Sequence, residues 1–255
     1  MTDLKALARL VDDAARQATA IPQLTQSVPL TVEEAYAIQS LSLDRRYDRG
    51  ERRVGTKMGL TSRAKMQQVG VSEMIWGRLT DAMRLEEGGA LSLKSFVHPR
   101  AEPEIAFLLR RPLAGRVSAA EALSAVEAVA PAIEIIDSRY RNFAFTWADV
   151  VADNSSSSAF LVGGWHPAST DVANLGIVVS VDGRPVQIGS TAAILGHPLR
   201  SLVAAARLVE SAGERLEEGS IILAGGATAA HPLAAGMHVR AETQAMGCVS
   251  FTVGE

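Results

Sequence analysis

From Val54 to the C-terminus the chain runs in short apolar stretches broken by glycine and proline, and that texture confines most of it to strands and turns. Residues Gly176 to Ile188 carry the sharpest signal. There Ile177 to Val181 and Arg184 to Ile188 flank Asp182-Gly183, a dipeptide suited to a two-residue hairpin turn because both turn positions need positive φ. Ile221 to Leu223 predicts a further strand that leads into a turn of small residues, Ala224-Gly225-Gly226-Ala227-Thr228. Two helices interrupt the strands. One starts at the Ser118/Glu121 capping box and runs towards Val129; the other follows Pro198, carries Leu202, Ala205, Ala206 and Val209, and stops near Gly213.

The first fifty or so residues read differently. Leu4, Leu7, Leu10, Val11 and Ala14 recur at helical spacing over residues 4–20, with Thr2 or Asp3 able to cap the first turn. Thr31 and Glu34 form a capping box for a second helix, whose apolar side holds Ala35, Ile38, Leu41 and Leu43. The charged stretch Asp44 to Arg53 reads as its solvated end. Strands with scattered helices, lacking a regular strand-helix-strand period, predict an α+β fold on curved sheets and not a doubly wound sheet. Residues 1–80 are expected to form an N-terminal helical or α+β lobe and residues 81–255 a β-rich catalytic domain. No dinucleotide fingerprint and no Walker-type loop is present.

Charge and composition then narrow the partners. A formal net charge of -3 and only 5% aromatic residues argue against gripping nucleic acid, which needs clustered cations and stacking surfaces. With no basic n-region ahead of an apolar h-region, and no apolar run of about eighteen residues, the chain reads as cytoplasmic and unattached to membrane. A small molecule is the expected partner. Cys248 stands in a strand-like run with Val249 and Phe251 and is expected to be a buried, inert thiol.

The chemistry lies in the carboxylates. In Ala101-Glu102-Pro103-Glu104-Ile105, strand alternation puts Glu102 and Glu104 on one face, roughly 6 to 7 Å apart. A lone Glu-x-Glu pair would equally suit an exposed strand. Glu134 changes the weighing, because it sits in Val129-Ala130-Pro131-Ala132-Ile133-Glu134-Ile135-Ile136, where its neighbours on both faces are apolar. Burying such a carboxylate costs several kcal/mol unless a cation or a proton compensates it, so the choice is between a core Arg or Lys and a metal ion. Three hard oxygen donors suit Mg2+ or Mn2+, whereas four of the five histidines (His98, His166, His197, His231) each precede proline and stand singly, which disfavours zinc. Three carboxylates would leave about half of an octahedral shell for a chelating substrate such as a 2-oxo acid. Lys57 shares a strand face with Gly55 and Gly59, which leaves room for a ligand, although a lone strand lysine is commonly a surface residue. Asp81 could act as a base or cap a turn. Asp153, Asn154 and Ser155 could donate to a carboxylate or form Asx and Ser turns, and Gly225-Gly226 with Thr228 could present amides to an anion or be a plain tight turn.

Several segments in order resemble one family: Val54 to Gly70 (VGTKMGLTSRAKMQQVG), Pro99 to Phe107, Glu134 to Phe145 (EIIDSRYRNFAF), Val150 to Ser158 (VVADNSSSS), Gly189 to Pro198 (GSTAAILGHP) and Leu223 to Ala230 (LAGGATAA). They resemble the hydratase/decarboxylase group of the fumarylacetoacetate hydrolase superfamily. Lys57 to Ser62, Asp137-Ser138-Arg139-Tyr140 with Asn142-Phe143, and Gly225 to Thr228 are more like its 4-oxalocrotonate decarboxylases, since the sibling hydratases tend to carry Gly-Ser-Phe-Thr in the last loop. Met237 departs from the acidic residue common in relatives. The resemblance implies a mixed β-sandwich roll with an N-terminal helical lobe. It also implies Glu102, Glu104 and Glu134 as ligands of Mg2+ (or Mn2+), Lys57 and Asp81 as catalytic residues, and Ser155 and Thr228 as substrate contacts. The implied reaction is decarboxylation of a 2-oxo dicarboxylate in aromatic meta-cleavage catabolism, by a homo-oligomer that could form a complex with a hydratase of the same pathway. Hydration of 2-hydroxypenta-2,4-dienoate, or a non-catalytic partner subunit, are the alternatives.

Overall fold

The computed structural model describes residues 2–62, 66 and 73–255; most of the second half of the Val54 to Gly70 motif lies outside them. Two sheets with helices around them make up the described residues. The larger sheet contains β1 (Arg53–Gly59), β2 (Ile75–Thr80), β4 (Arg100–Leu109), β5 (Val126–Ile136), β6 (Ser157–Val162) and β10 (Ile221–Leu223) in the order β2-β1-β10-β4-β5-β6. The short β7 (His166–Pro167) and β11 (His231–Pro232) pair with β5 and β4. The smaller sheet orders β3 (Ala90–Ser92), β8 (Gly176–Val181), β9 (Arg184–Ser190), β12 (His238–Thr243) and β13 (Gly247–Gly254) as β3-β13-β12-β8-β9. Asp182 and Gly183 take φ of 51° and 76° between β8 and β9, as the expected hairpin turn requires.

Strand alternation sorts the side chains of the large sheet into two environments. Ile105, Phe107, Ile133, Ile135 and Leu161 face the small sheet and pack with Val179, Val239, Val249 and Phe251 in the main core. Ala106, Ala130, Ala132, Phe160, Val162, Ile221 and Leu223 face the other way and form a second buried cluster with Leu79 and Met83. The sheet rolls around this second cluster. Its far edges meet where the chain after β2 reaches β6, with Leu85 N donating to Phe160 O at 2.9 Å. The inward face therefore becomes the lining of a closed-off interior, and whatever charge stands on it is taken out of water.

Among the described residues five α-helices of six residues or more surround the roll: α1 (Leu4–Arg16), α2 (Val32–Asp48), α3 (Ala119–Ser124), α4 (Trp147–Ala152) and α5 (Pro198–Ser211). Asp3 caps α1, and the Thr31/Glu34 capping box opens α2 as the sequence predicts. The charged stretch expected to be a solvated end is instead partly a fastening, because Arg45 Nε and Arg49 NH2 each reach the buried Asp12 at 2.7 Å. The helix expected to run towards Val129 ends at Ser124. Val126 and Val129 are fully buried in β5, and pairing with β4 overrides the local helix signal. Cys248 is exposed, not buried, since alternation in β13 turns Val249 and Phe251 inward and the thiol outward. The large sheet spans the boundary expected at residue 80, since β1 and β2 belong to it and β1 pairs in parallel with β10. Thr191–Ser211 is long and apolar enough by composition to cross a membrane, as core helices also are, although it carries Arg200 and Arg207. Its Leu202, Ala205, Ala206 and Val209 are buried in the main core.

Candidate metal centre

Register brings the acids together. Antiparallel pairing places Glu102 of β4 directly opposite Glu134 of β5, and Glu104 follows on the same inward face of β4. One carboxylate oxygen from each lies within 4.8 Å of the others. Exposure falls along the strand into the roll, from 9% at Glu102 to 1% at Glu104, with Glu134 at 0%. The opening therefore lies towards the start of β4, where Arg100 stands on the same face, its guanidinium 4.0 Å from the Phe143 ring centre.

Lys57 joins from β1. Its row across the sheet, Gly77, Lys57, Leu223, Ala106 and Ala130, is otherwise small or apolar, and the side chain itself is buried. Nζ lies 3.0 Å from Glu134 Oε2 and donates to the Ser155 carbonyl at 2.9 Å. Lys57 thus meets the core-lysine reading of Glu134, and its charge acts on Glu104 as well. The Gly225-Gly226 turn closes the other side. Gly225 N donates to Glu104 Oε2 at 2.6 Å, and a Cβ on Gly226 would sit 2.6 Å from Glu102 Oε2 and push that carboxylate aside. The anion received by this turn belongs to the protein itself.

Buried carboxylates in excess over cations resist ionisation. Burial raises Glu104 well above the usual carboxylate range, and the charge of Glu134 raises it further while Lys57 opposes. Glu134 is raised by burial as well, with Lys57 offsetting part of the effect and Glu102 adding to it. Glu104 Oε1 and both Glu134 oxygens have no hydrogen-bond partner among the described residues, Glu134 Oε2 having the ion pair with Lys57 alone. Unpaired buried oxygens of this kind, all hard donors and with no His or Cys beside them, fit Mg2+ or Mn2+.

The remaining expected site residues fare unequally. Ser155 is at the site, but its hydroxyl donates to Trp76 O at 2.8 Å and it is the carbonyl that meets Lys57. Thr228 follows the glycine turn, and its hydroxyl donates to Ala229 O at 3.0 Å. Asp81 is not brought to the centre. It is exposed, its Oδ1 accepts from Arg52 N and Ala82 N at 2.9 Å, and Arg53, paired with the adjacent Thr80, stands four residues (roughly 13 Å) along β1 from Lys57. The turn-capping alternative is the one realised. Sequence reasoning assigned no role at the centre to Arg100, and it left Asn154 among several donors; neither shows its placement without the register of β4 or the path of the chain beside β2.

Comparison with known proteins follows the same lines. Residues 53–254 match the family model described as the C-terminal part of fumarylacetoacetate (FAA) hydrolase. A 4-oxalocrotonate decarboxylase of Pseudomonas sp. is 59% identical over 250 residues, 98% of each chain. A 2-hydroxyhexa-2,4-dienoate hydratase of Comamonas testosteroni is 37% identical, over 95% of this chain and 94% of the relative. Among solved structures, 4-oxalocrotonate decarboxylase from Pseudomonas putida G7, complexed with magnesium and adipate, superposes with a TM-score of 0.97 at 38% identity, covering 99% of this chain and 98% of that one.

Proposed function

The chain belongs to the fumarylacetoacetate hydrolase family, and from that premise we propose that it decarboxylates 4-oxalocrotonate (2-oxohex-3-enedioate) to 2-hydroxypenta-2,4-dienoate and CO2 in aromatic catabolism. The observation that carries this reading is the convergence of Glu102, Glu104 and Glu134 on the inward face of the roll, with Lys57 beside them. These three residues would hold Mg2+ or Mn2+. Bound there, the ion supplies a Lewis acid for the oxygens of a 2-oxo acid, stabilising negative charge at that end of the substrate.

The chain's own residues do the rest. In this substrate the leaving carboxylate stands on a methylene beside the double bond that is conjugated with the 2-oxo group, so the electron pair left by CO2 spreads through that double bond towards the 2-oxo oxygen. An ammonium has three N–H donors, and Lys57 donates one to the Ser155 carbonyl and holds a second side against Glu134 Oε2 as an ion pair at 3.0 Å. The third is free to donate to the oxygen where charge develops. Leu79, Phe160 and Leu223 fill the interior behind the acids and keep water away, which strengthens that hydrogen bond. At the mouth Arg100 has no acidic partner among the described residues, and its positive charge suits the second carboxylate of a dicarboxylate. That feature favours the dicarboxylate over the monocarboxylate taken by a hydratase.

The test supplies purified protein with 4-oxalocrotonate and, separately, with 2-hydroxypenta-2,4-dienoate, with and without EDTA. CO2 release that stops on chelation and returns with Mg2+ is expected. Hydration alone would replace the reading with that of a hydratase. Mn2+ binding without turnover of either compound would replace it with a non-catalytic subunit.

A further inference from the structure

Three consecutive residues that are not glycine, Asn154, Ser155 and Ser156, take positive φ of 47°, 53° and 60°. Left-handed backbone is ordinarily confined to single residues, because Cβ crowds the following carbonyl at each one. A run of three persists only where the surroundings over-determine it. Here the surroundings are the main chain of β2. Asn154 Oδ1 accepts from Arg78 N at 2.8 Å, and Asn154 Nδ2 donates to Arg78 O at 2.9 Å, so one side-chain amide takes the place of a neighbouring strand. Ser155 Oγ adds a bond to Trp76 O at 2.8 Å. Gly77, between them, is the residue that admits the turn, since a Cβ there would sit 2.4 Å from Asn154 O.

The turn ends at the metal centre. Its Ser155 carbonyl accepts the hydrogen bond of the Lys57 ammonium, which Glu134 flanks as an ion pair at 3.0 Å. With a tetrahedral nitrogen held between that carbonyl and that carboxylate, the direction of its remaining N–H is set. Displacing the carbonyl therefore swings that N–H without touching Glu102, Glu104 or Glu134.

We propose that Asn154 is a positioning residue for Lys57: its amide clamps the left-handed turn to β2, and the turn's Ser155 carbonyl aims the free Lys57 N–H at the substrate. The assignment rests on the reading above, in which Lys57 acts on the substrate. It concerns aim and not affinity, so it separates from a merely structural role by which kinetic constant moves.

Asn154→Gly removes both hydrogen bonds and keeps easy access to positive φ. Asn154→Asp keeps the size and the bond to Arg78 N, and loses only the donor to Arg78 O. Both variants are compared with wild type and Lys57→Met for kcat, KM, Mn2+ affinity by electron paramagnetic resonance, and Tm. The expected result is a fall in kcat of roughly tenfold to a hundredfold for Asn154→Gly and a smaller fall for Asn154→Asp, with KM and Mn2+ affinity within about twofold of wild type. Either variant, folded and with wild-type kcat, would overturn the assignment, as would a loss confined to Tm. Should Lys57→Met itself keep wild-type kcat, the role of Lys57 fails first and takes the assignment with it. Should Lys57→Met be inactive while the Asn154 variants match wild type, only the clamp is refuted.

Discussion

Arg139 and Asp153 are buried as deeply as the three glutamates, yet the two clusters handle their charge in opposite ways. Arg139 Nε meets Asp153 Oδ1, its NH2 donates to Asp153 O at 2.8 Å, its NH1 reaches Ser158 Oγ, and its own backbone N–H donates to Asp153 Oδ2 at 3.0 Å. Asp137 adds a second carboxylate 4.0 Å from Arg139, and its oxygens accept from the backbone N–H groups of Val97 and His98, so each charged group has its partners. Burial still pushes Asp153 up to about 6, with Arg139 opposing. At the candidate metal centre the Lys57 ammonium faces the fully buried Glu104 and Glu134, and among the described residues three of their four carboxylate oxygens lack a hydrogen-bond partner. A buried cluster whose charged groups are all partnered holds the chain in place. One whose carboxylate oxygens lack partners invites an added cation or protons, and that is what a binding site requires.

Neutralising one acid should separate the two clusters most widely. Glu104→Gln is expected to cut CO2 release by more than the roughly 10- to 100-fold typical of losing an outer-sphere partner of a metal. The same change removes an uncompensated buried charge, so the variant should unfold in EDTA at a Tm no lower than wild type. A large drop in that Tm would mean the acids are structural after all. Arg139→Met is the converse experiment, since it strands Asp153 without its partner. Urea unfolding should show a loss of about 3–5 kcal/mol; a loss under about 1 kcal/mol would erase the contrast.

Acidity sharpens the comparison further. Because Glu104 and Glu134 are raised, the folded metal-free chain holds more protons than the unfolded chain once pH exceeds the ordinary carboxylate range. Stability without metal should therefore fall as pH rises through the raised values. Saturating Mg2+, which binds the deprotonated acids, should flatten or reverse that slope in thermal melts. A metal-free Tm that rises over the same interval would contradict the raised values. The smallest effect is expected at Asp81. Asp81→Ala loses a turn cap, so it should cost about 1 kcal/mol or less and leave kcat unchanged; a deep loss of kcat would return Asp81 to the chemistry.

Much of this was legible in the sequence, for reasons that differ by residue. Glu102 and Glu104 could be paired because alternation is a local property of a strand, and Glu134 stood out because its neighbours are apolar. The hairpin at Asp182-Gly183 and the capping box at Thr31 are equally local. What escaped depends on partners distant in the chain. Val126 to Val129 continued a helical pattern until β4 drew them into a sheet, and nothing near Asp81 says that it stands at the far end of its strand from Lys57. Asn154 reads as an ordinary turn residue, since its two hydrogen bonds go to Arg78, 76 positions away. Cys248 is the exception: alternation alone turns it outward in β13, and the usual burial of free thiols was the weaker guide.

The most direct measurement is a crystal grown with Mn2+ and read by anomalous scattering. The account predicts one strong peak at about 2.1 Å from an oxygen of each of Glu102, Glu104 and Glu134. No peak among those oxygens at saturating Mn2+, or a peak bound by two of them or fewer, would contradict it.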